Sequence, residues 1–176
     1  MIIWHNTKLN SYRMPYIEDK NLRKIFITRV YSSISQIETV VNTMALIGND
    51  KPQVSVLGQY TSLNSRTKIE LKTIFANIKE ELRGFSSNTF KFGFFNHSEY
   101  GKLFIAGHLT SIFLTEVDNR KLAALPAGLL GIFRELGFNE RETKNYLTTV
   151  KDGKFCLIIR VELRNLETVN ALVEAN

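Results

Sequence analysis

The chain has 176 residues and a mass of 20.2 kDa, with 44% hydrophobic, 11% aromatic and 23% charged residues, 10 Gly and 3 Pro. That size and make-up fit one globular domain and exclude a disordered, collagen-like or low-complexity chain. The net charge of +6 permits an anionic partner without requiring one, and a single Cys excludes an internal disulfide framework.

Up to Asn88 there are 12 basic and 7 acidic residues, and from Thr89 onward 11 and 10, so the basic excess belongs to the first half. It is scattered, as on a solvated surface, with no block of like charges. The longest nearly uncharged apolar stretch, Leu122 to Phe133, contains Pro126 and falls well short of the roughly 20 residues that span a bilayer. No membrane partner is expected. Residues 1–21 are polar and irregular around Arg13-Met14-Pro15-Tyr16, and read as an arm, with Met14 an alternative start. The opening Met1-Ile2-Ile3-Trp4-His5 lacks the pattern of a secretory leader, so a cytoplasmic location is the expectation.

From Lys24 to Tyr31 the chain is β-branched and aromatic and predicts a strand. Ser35 and Glu38 stand at capping-box spacing, and Ile37, Val40, Val41, Met44 and Ile47 repeat with helical period up to Gly48. Gln53 to Gly58 predicts a second strand, parallel to the first because a helix returns the chain between them. Arg66 to Arg83 carries the stripe Leu71, Ile74, Phe75, Ile78 and Leu82 of an amphipathic helix, ended by Gly84. Phe90, Phe92 and Phe94 alternate along a strand, followed by a turn at Asn96 to Glu99 and a partner strand at Leu103 to Ile105.

Asp118 or Asn119 is expected to cap a helix bearing Leu122, Leu125, Leu129, Ile132, Phe133 and Leu136, with Pro126 in its first turn or kinking it. Ala123, Ala127 and Gly131 recur along one side, where a neighbouring backbone could approach. After Gly137, Asn139 and Glu142 predict a capped helix carrying Tyr146, Leu147 and Val150 and ending at Gly153. Lys154 to Val161 predicts a buried central strand, and residues 165–176 hold a short closing helix. The domain proper then covers residues 22–164, a sheet shielded by helices on one flank.

Three segments carry a family resemblance. The run Ile27-Thr28-Arg29-Val30-Tyr31-Ser32-Ser33 leads into Gln36-Ile37-Glu38 and then Val54-Ser55-Val56-Leu57. Ala106-Gly107-His108-Leu109 precedes the middle helix. Leu136-Gly137-Phe138-Asn139-Glu140-Arg141-Glu142-Thr143-Lys144-Asn145-Tyr146 is followed by Val150, Gly153 and a strand. Together they resemble the small bacterial general stress (heat-induced stress) protein family, with His108 where that pattern has Pro and Thr143 where it has Ala. The resemblance implies an α+β fold, a ferredoxin-like sheet built on β-α-β units with additional helices, and it brings no catalytic residue set.

Glu140, Glu142 and Tyr146 form the most site-like group: Glu142 and Tyr146 share a helix face and Glu140 sits in the first turn, where carboxylates favour the helix dipole. Capping and packing account for all three. His5, His97 and His108 match no compact metal motif; His108, beside Gly107, stands where backbone could approach a ligand. Cys156 lies in an apolar strand and reads as a small hydrophobe. No phosphate loop, Gly-x-Ser-x-Gly elbow or His-Glu-x-x-His motif occurs, so no catalytic residue, cofactor or metal is assigned.

The reading reached from these residues is a noncatalytic, stress-associated or regulatory module acting by self-association, as a homo-oligomer such as a dimer joined around Arg66 to Tyr100, or by binding a small ligand. Its candidate contact residues are Glu140, Glu142, Tyr146, His108, Phe90, Phe92 and Phe94. One alternative is RNA binding, since Ile25-Phe26-Ile27 and Lys91-Phe92-Gly93-Phe94-Phe95 resemble aromatic strand motifs on which bases stack. The other is an enzyme with its site near Glu142 and His108.

Overall fold

A computed structural model of the chain describes residues 23–44, 52–60 and 91–175. The arm, the helix end at Ile47 and Gly48, the helix expected over Arg66 to Arg83 and the residue Phe90 lie outside the described residues. What is described is α+β: helices and an antiparallel sheet.

Strand β1 (Lys24–Tyr31) has the bounds its composition predicts. Helix α1 (Ile34–Met44) buries Ile37, Val40, Val41 and Met44, the expected stripe. Its cap differs. Ser33 Oγ accepts the Gln36 N–H at 3.3 Å, while Gln36 Oε1 accepts the N–H groups of Ser32 and Ser33 at 3.0 and 3.2 Å. The capping box is therefore Ser33 with Gln36, and Ser35 already lies inside the first turn. Gln serves the reciprocal bond as well as Glu, so two overlapping Ser-x-x-acceptor patterns competed and the earlier one is used.

Strand β2 (Gln53–Gln59) follows, then β3 (Phe92–His97) and β4 (Gly101–Gly107), whose register closes His97 on Gly101. The hairpin turn thus falls at Ser98 to Tyr100, starting two residues later than expected and ending one later. His97 explains the shift: its Nδ1 accepts the N–H groups of Glu99 and Tyr100 at 3.1 and 3.4 Å, so the imidazole, 2% exposed, holds the turn from inside.

A one-turn helix α2 (Thr110–Phe113) leads to the small hairpin of β5 (Glu116–Val117) and β6 (Arg120–Lys121). Asp118 and Asn119 make its two-residue turn with φ of 49° and 59°, so they cap no helix. Both are residue types that tolerate this conformation, and the flanking Glu, Val, Arg and Lys offered no apolar alternation to mark a hairpin. The expected helix starts later, after a 3-10 turn at Leu122–Ala124, as α3 (Gly128–Glu135). Pro126 precedes it. The close backbone approach is made by Gly128, where a Cβ would stand 1.8 Å from the Leu122 carbonyl oxygen; at Gly131 a Cβ would meet nothing within 4 Å.

Helix α4 (Glu140–Lys151), strand β7 (Phe155–Glu162) and helix α5 (Leu166–Glu174) complete the chain. The sheet order is β1-β7-β2-β4-β3, antiparallel throughout. The strands β1 and β2 run in the same direction, as expected, but β7 is inserted between them. Likewise β4 and β7 run alike with β2 between them. The chain makes two β-α-β crossovers, each split by a strand of the other.

Helices cover both faces, not one flank. Phe155, Leu157, Ile159 and Val161 of β7 point to α1 and α5, whereas Cys156 and Ile158 point to α2, α3 and α4. A strand buried on both faces reads as a continuous apolar run, which is why β7 was legible as central. The closing helix is part of this body: Val169 and Val173 pack in the same cluster as α1. Among the described residues, no helix is long and apolar enough to cross a membrane.

Candidate functional site

The most distinctive polar group gathers at one end of the sheet, on the α2–α4 face. Register places it. Arg160 of β7 lies opposite Phe26 of β1 on one side and opposite Gln53 of β2 on the other, and cross-strand partners share a face. Lys24, two residues before Phe26, points the same way. Beside β2, the last residue of β4 is Gly107, opposite Ser55. His108 follows, its N–H donated to the Val54 carbonyl at 3.0 Å, and the Leu109 N–H is donated to Ser55 Oγ at 2.9 Å.

Gly107 has φ of 101°, and a Cβ there would stand 2.3 Å from the Val54 carbonyl oxygen. Only glycine lets β4 leave the sheet at this angle while touching β2, and that departure delivers the His108 ring to Arg160. Arg160 Nη1 donates to Gln53 Oε1 at 2.9 Å and lies 3.4 Å from His108 Nε2. Its guanidinium carbon is 5.9 Å from the centre of the Phe26 ring. The Arg160 Nε–H is buried with no partner among the described residues.

Guanidinium donates and does not accept, so the contact with His108 requires a neutral imidazole whose Nε2 carries the lone pair. Electrostatics agree: burial first, then Arg160, then Lys24 hold the His108 pKa below its ordinary 6.5. Among the described residues, no carboxylate pairs with Lys24, His108 or Arg160. Three basic side chains thus share this face, with one aromatic ring beneath Arg160 and one amide beside it, while Glu162, the carboxylate opposite Lys24, is paired with Arg164 at 3.0 Å.

The other candidate residues have structural partners. Asn139 Oδ1 accepts the Glu142 N–H at 2.9 Å and Glu142 Oε2 accepts the Asn139 N–H at 2.8 Å, the full capping box. Glu140 forms an exposed ion pair with Lys144 at 2.6 Å, which lowers the pKa of its carboxyl. The Tyr146 ring packs edge-on against Phe138 at 5.8 Å and tilted against Phe133 at 6.4 Å. Burial, then Glu142, push its hydroxyl pKa up. Replacing Asn139 with Ala removes the bond its side chain accepts from the Glu142 N–H, leaves the backbone donation to Glu142 Oε2, and should cost about 1 kcal/mol, within a range of roughly 0.5–2. Urea denaturation reads this directly; an unchanged midpoint would show that the cap contributes nothing.

Phe92 and Phe94 meet edge-on at 4.7 Å; Phe92 stacks on Phe104 at 5.5 Å and Phe94 meets Tyr60 edge-on at 5.1 Å. Cys156 is wholly buried, and burial drives its thiol pKa far up, so it is no nucleophile. No hydrogen bond or ion pair joins Glu142 to His108. The described residues contain no group of three or more His, Cys, Asp or Glu able to hold a metal ion.

Of the residues singled out in the sequence, His108 is the one that meets a polar cluster. Its partners Arg160, Gln53 and Lys24 come from three strands far apart in the chain, and only strand register brings them together. Comparison with family models, with curated proteins and with solved structures gives no match, so the site rests on its own chemistry.

Proposed function

We propose that this chain is a noncatalytic regulatory module of the general stress type, its β-α-β units of the ferredoxin-like kind, and that it works by binding a small ligand at the His108 end of the sheet. One observation carries this reading: Lys24, His108 and Arg160 share one face, positioned by backbone hydrogen bonds of four strands, and Glu162, the carboxylate opposite Lys24, is taken up by Arg164. A site built on strands is more sharply positioned than one on loops, and the hydroxyl beside it, Ser55 Oγ, accepts the Leu109 N–H.

The test is a titration of amide-labelled protein with inorganic phosphate, followed by NMR at low ionic strength. Saturable shifts confined to Lys24, Phe26, Gln53, Gly107, His108, Leu109 and Arg160 are expected, and Arg160→Gln should abolish them. Absent or diffuse shifts at millimolar phosphate would remove the reading.

Self-association is the second reading, and β1 favours it. Among the described residues, this eight-residue strand lies at the sheet edge with its backbone paired to β7 on one side. Unpaired edges template strand addition. Light scattering on a size-exclusion column, giving a monomer mass at every concentration, would set it aside. The packing of Phe92 and Phe94 on Phe104 and Tyr60 favours a core role for these rings over base stacking.

A further inference from the structure

We propose that the ligand of the His108 site is a small oxyanion, a phosphate, sulfate or carboxylate group, and that it binds together with a proton taken up at His108 Nε2. The inference rests on the ligand-binding reading above and adds the ligand's class and its control by pH.

The geometry supports it in three ways. First, the Arg160 guanidinium is only partly committed. Nη1 serves Gln53 and His108, while Nε is buried without a partner among the described residues, a donor that an oxygen could satisfy. Second, the charges that act on the His108 imidazole are cationic, Arg160 on β7 and Lys24 on β1, with β2 offering the uncharged Gln53; the carboxylate on the same face, Glu162 of β7 opposite Lys24, is engaged by Arg164. An oxyanion among them offsets the repulsion that, after burial, disfavours the charged imidazole. Third, the His108 Nε2 lone pair is turned toward Arg160. On protonation Nε2 becomes a donor, the contact to Arg160 breaks, and both groups can then donate to one anion. The proton comes from solvent and no other bond changes.

Without anion, the linkage runs the other way. The folded chain resists protonating His108, and the unfolded chain does not. The stability contributed by the neutral imidazole is therefore complete above the ordinary histidine value of 6.5 and is lost as pH falls below it toward the lowered folded value. Bound anion should shrink that loss, because linkage is reciprocal.

Sulfate is the suitable probe, since it does not itself titrate between pH about 5.5 and about 8, the range in which histidine changes charge. Isothermal titration of the full chain with sodium sulfate, in two buffers of different ionisation enthalpy, gives affinity and proton uptake together. Affinity should rise as pH falls, by up to about tenfold per pH unit for one linked proton, with net proton uptake on binding. His108→Gln should lose the slope and the uptake, and Arg160→Gln should lose binding. In parallel, the His108 imidazole signal in NMR should titrate at higher pH with sulfate than without it, a readout that needs no variant. Sulfate binding with a flat pH profile, or a slope that survives in His108→Gln, would overturn the proton linkage while leaving ligand binding in place. No binding of sulfate or phosphate at any pH would overturn both. Succinate in place of sulfate separates carboxylate from phosphate-like ligands.

Discussion

Gly107→Ala is expected to destabilise the protein by about 2–6 kcal/mol, the sum of a strained backbone and a forced contact. The residue has φ of 101°, in the region that side-chain-bearing residues rarely adopt. The added methyl would also sit 2.3 Å from the Val54 carbonyl oxygen and 3.0 Å from Ser55 Cα. Neither neighbour is a flexible side-chain tip that could swing away; both are backbone of β2 in the middle of the sheet. Relief requires β4 to shift, and the shift breaks the donations of His108 N–H to Val54 and Leu109 N–H to Ser55. Two effects should therefore appear together: a lowered urea midpoint and, in whatever folded protein remains, loss of anion response at His108. A variant as stable as the parent would mean that β2 and β4 are less closely joined than the register indicates.

The second large effect concerns Phe104, fully buried between Phe92 and Phe155. Phe104→Ala should cost about 3–5 kcal/mol, the usual loss for an emptied aromatic site. Its cross-strand partner is Gly58, and a Cβ on Gly58 would stand 2.6 Å from the Phe104 ring and 2.7 Å from that of Phe155. Gly58 thus yields its side-chain volume to two neighbouring aromatics. Gly58→Ala should cost about 1–3 kcal/mol by overpacking. In the double variant the methyl enters space that the ring has left, so the combined loss should fall short of the sum by about 0.5–3 kcal/mol. A double-mutant cycle by chemical denaturation measures this. Strict additivity would show that the ring and the glycine do not share their space.

Much of the scaffold could be seen in the residues themselves, for identifiable reasons. Strand β7 announced itself because both of its faces are buried, and α4 because Asn139, Glu142, Leu147 and Val150 combine a cap with a helical stripe. Local devices were harder where the same chemistry fits two positions. Ser33 with Gln36 and Ser35 with Glu38 are equally good caps on paper. Asp118 and Asn119 suit a helix start as well as a left-handed turn, and only φ distinguishes them. His97 looked like a turn residue because its role, accepting two backbone donors from a buried position, leaves no mark in spacing.

The candidate site was legible in one residue. His108 stood out beside Gly107, but Lys24, Gln53 and Arg160 carry no motif and read as ordinary solvated strand ends. Their meeting depends on β7 entering between β1 and β2, a long-range fact that periodicity does not encode. Glu140, Glu142 and Tyr146 stood out for the opposite reason: their regular spacing reflects helix capping, ion pairing and ring packing, all local in sequence.

That late entry of β7 also governs how the molecule is made. As the chain leaves the ribosome, β1 emerges long before its sheet neighbour β7, so through all the intervening synthesis its backbone is hydrogen-bonded to water in place of that strand. Pairings this distant in sequence form slowly and leave apolar edges open to wrong partners in the interval. Birth, then, is the vulnerable moment for this protein, and a nascent chain cut short before Phe155 would hold two halves of a sheet with the plank between them missing.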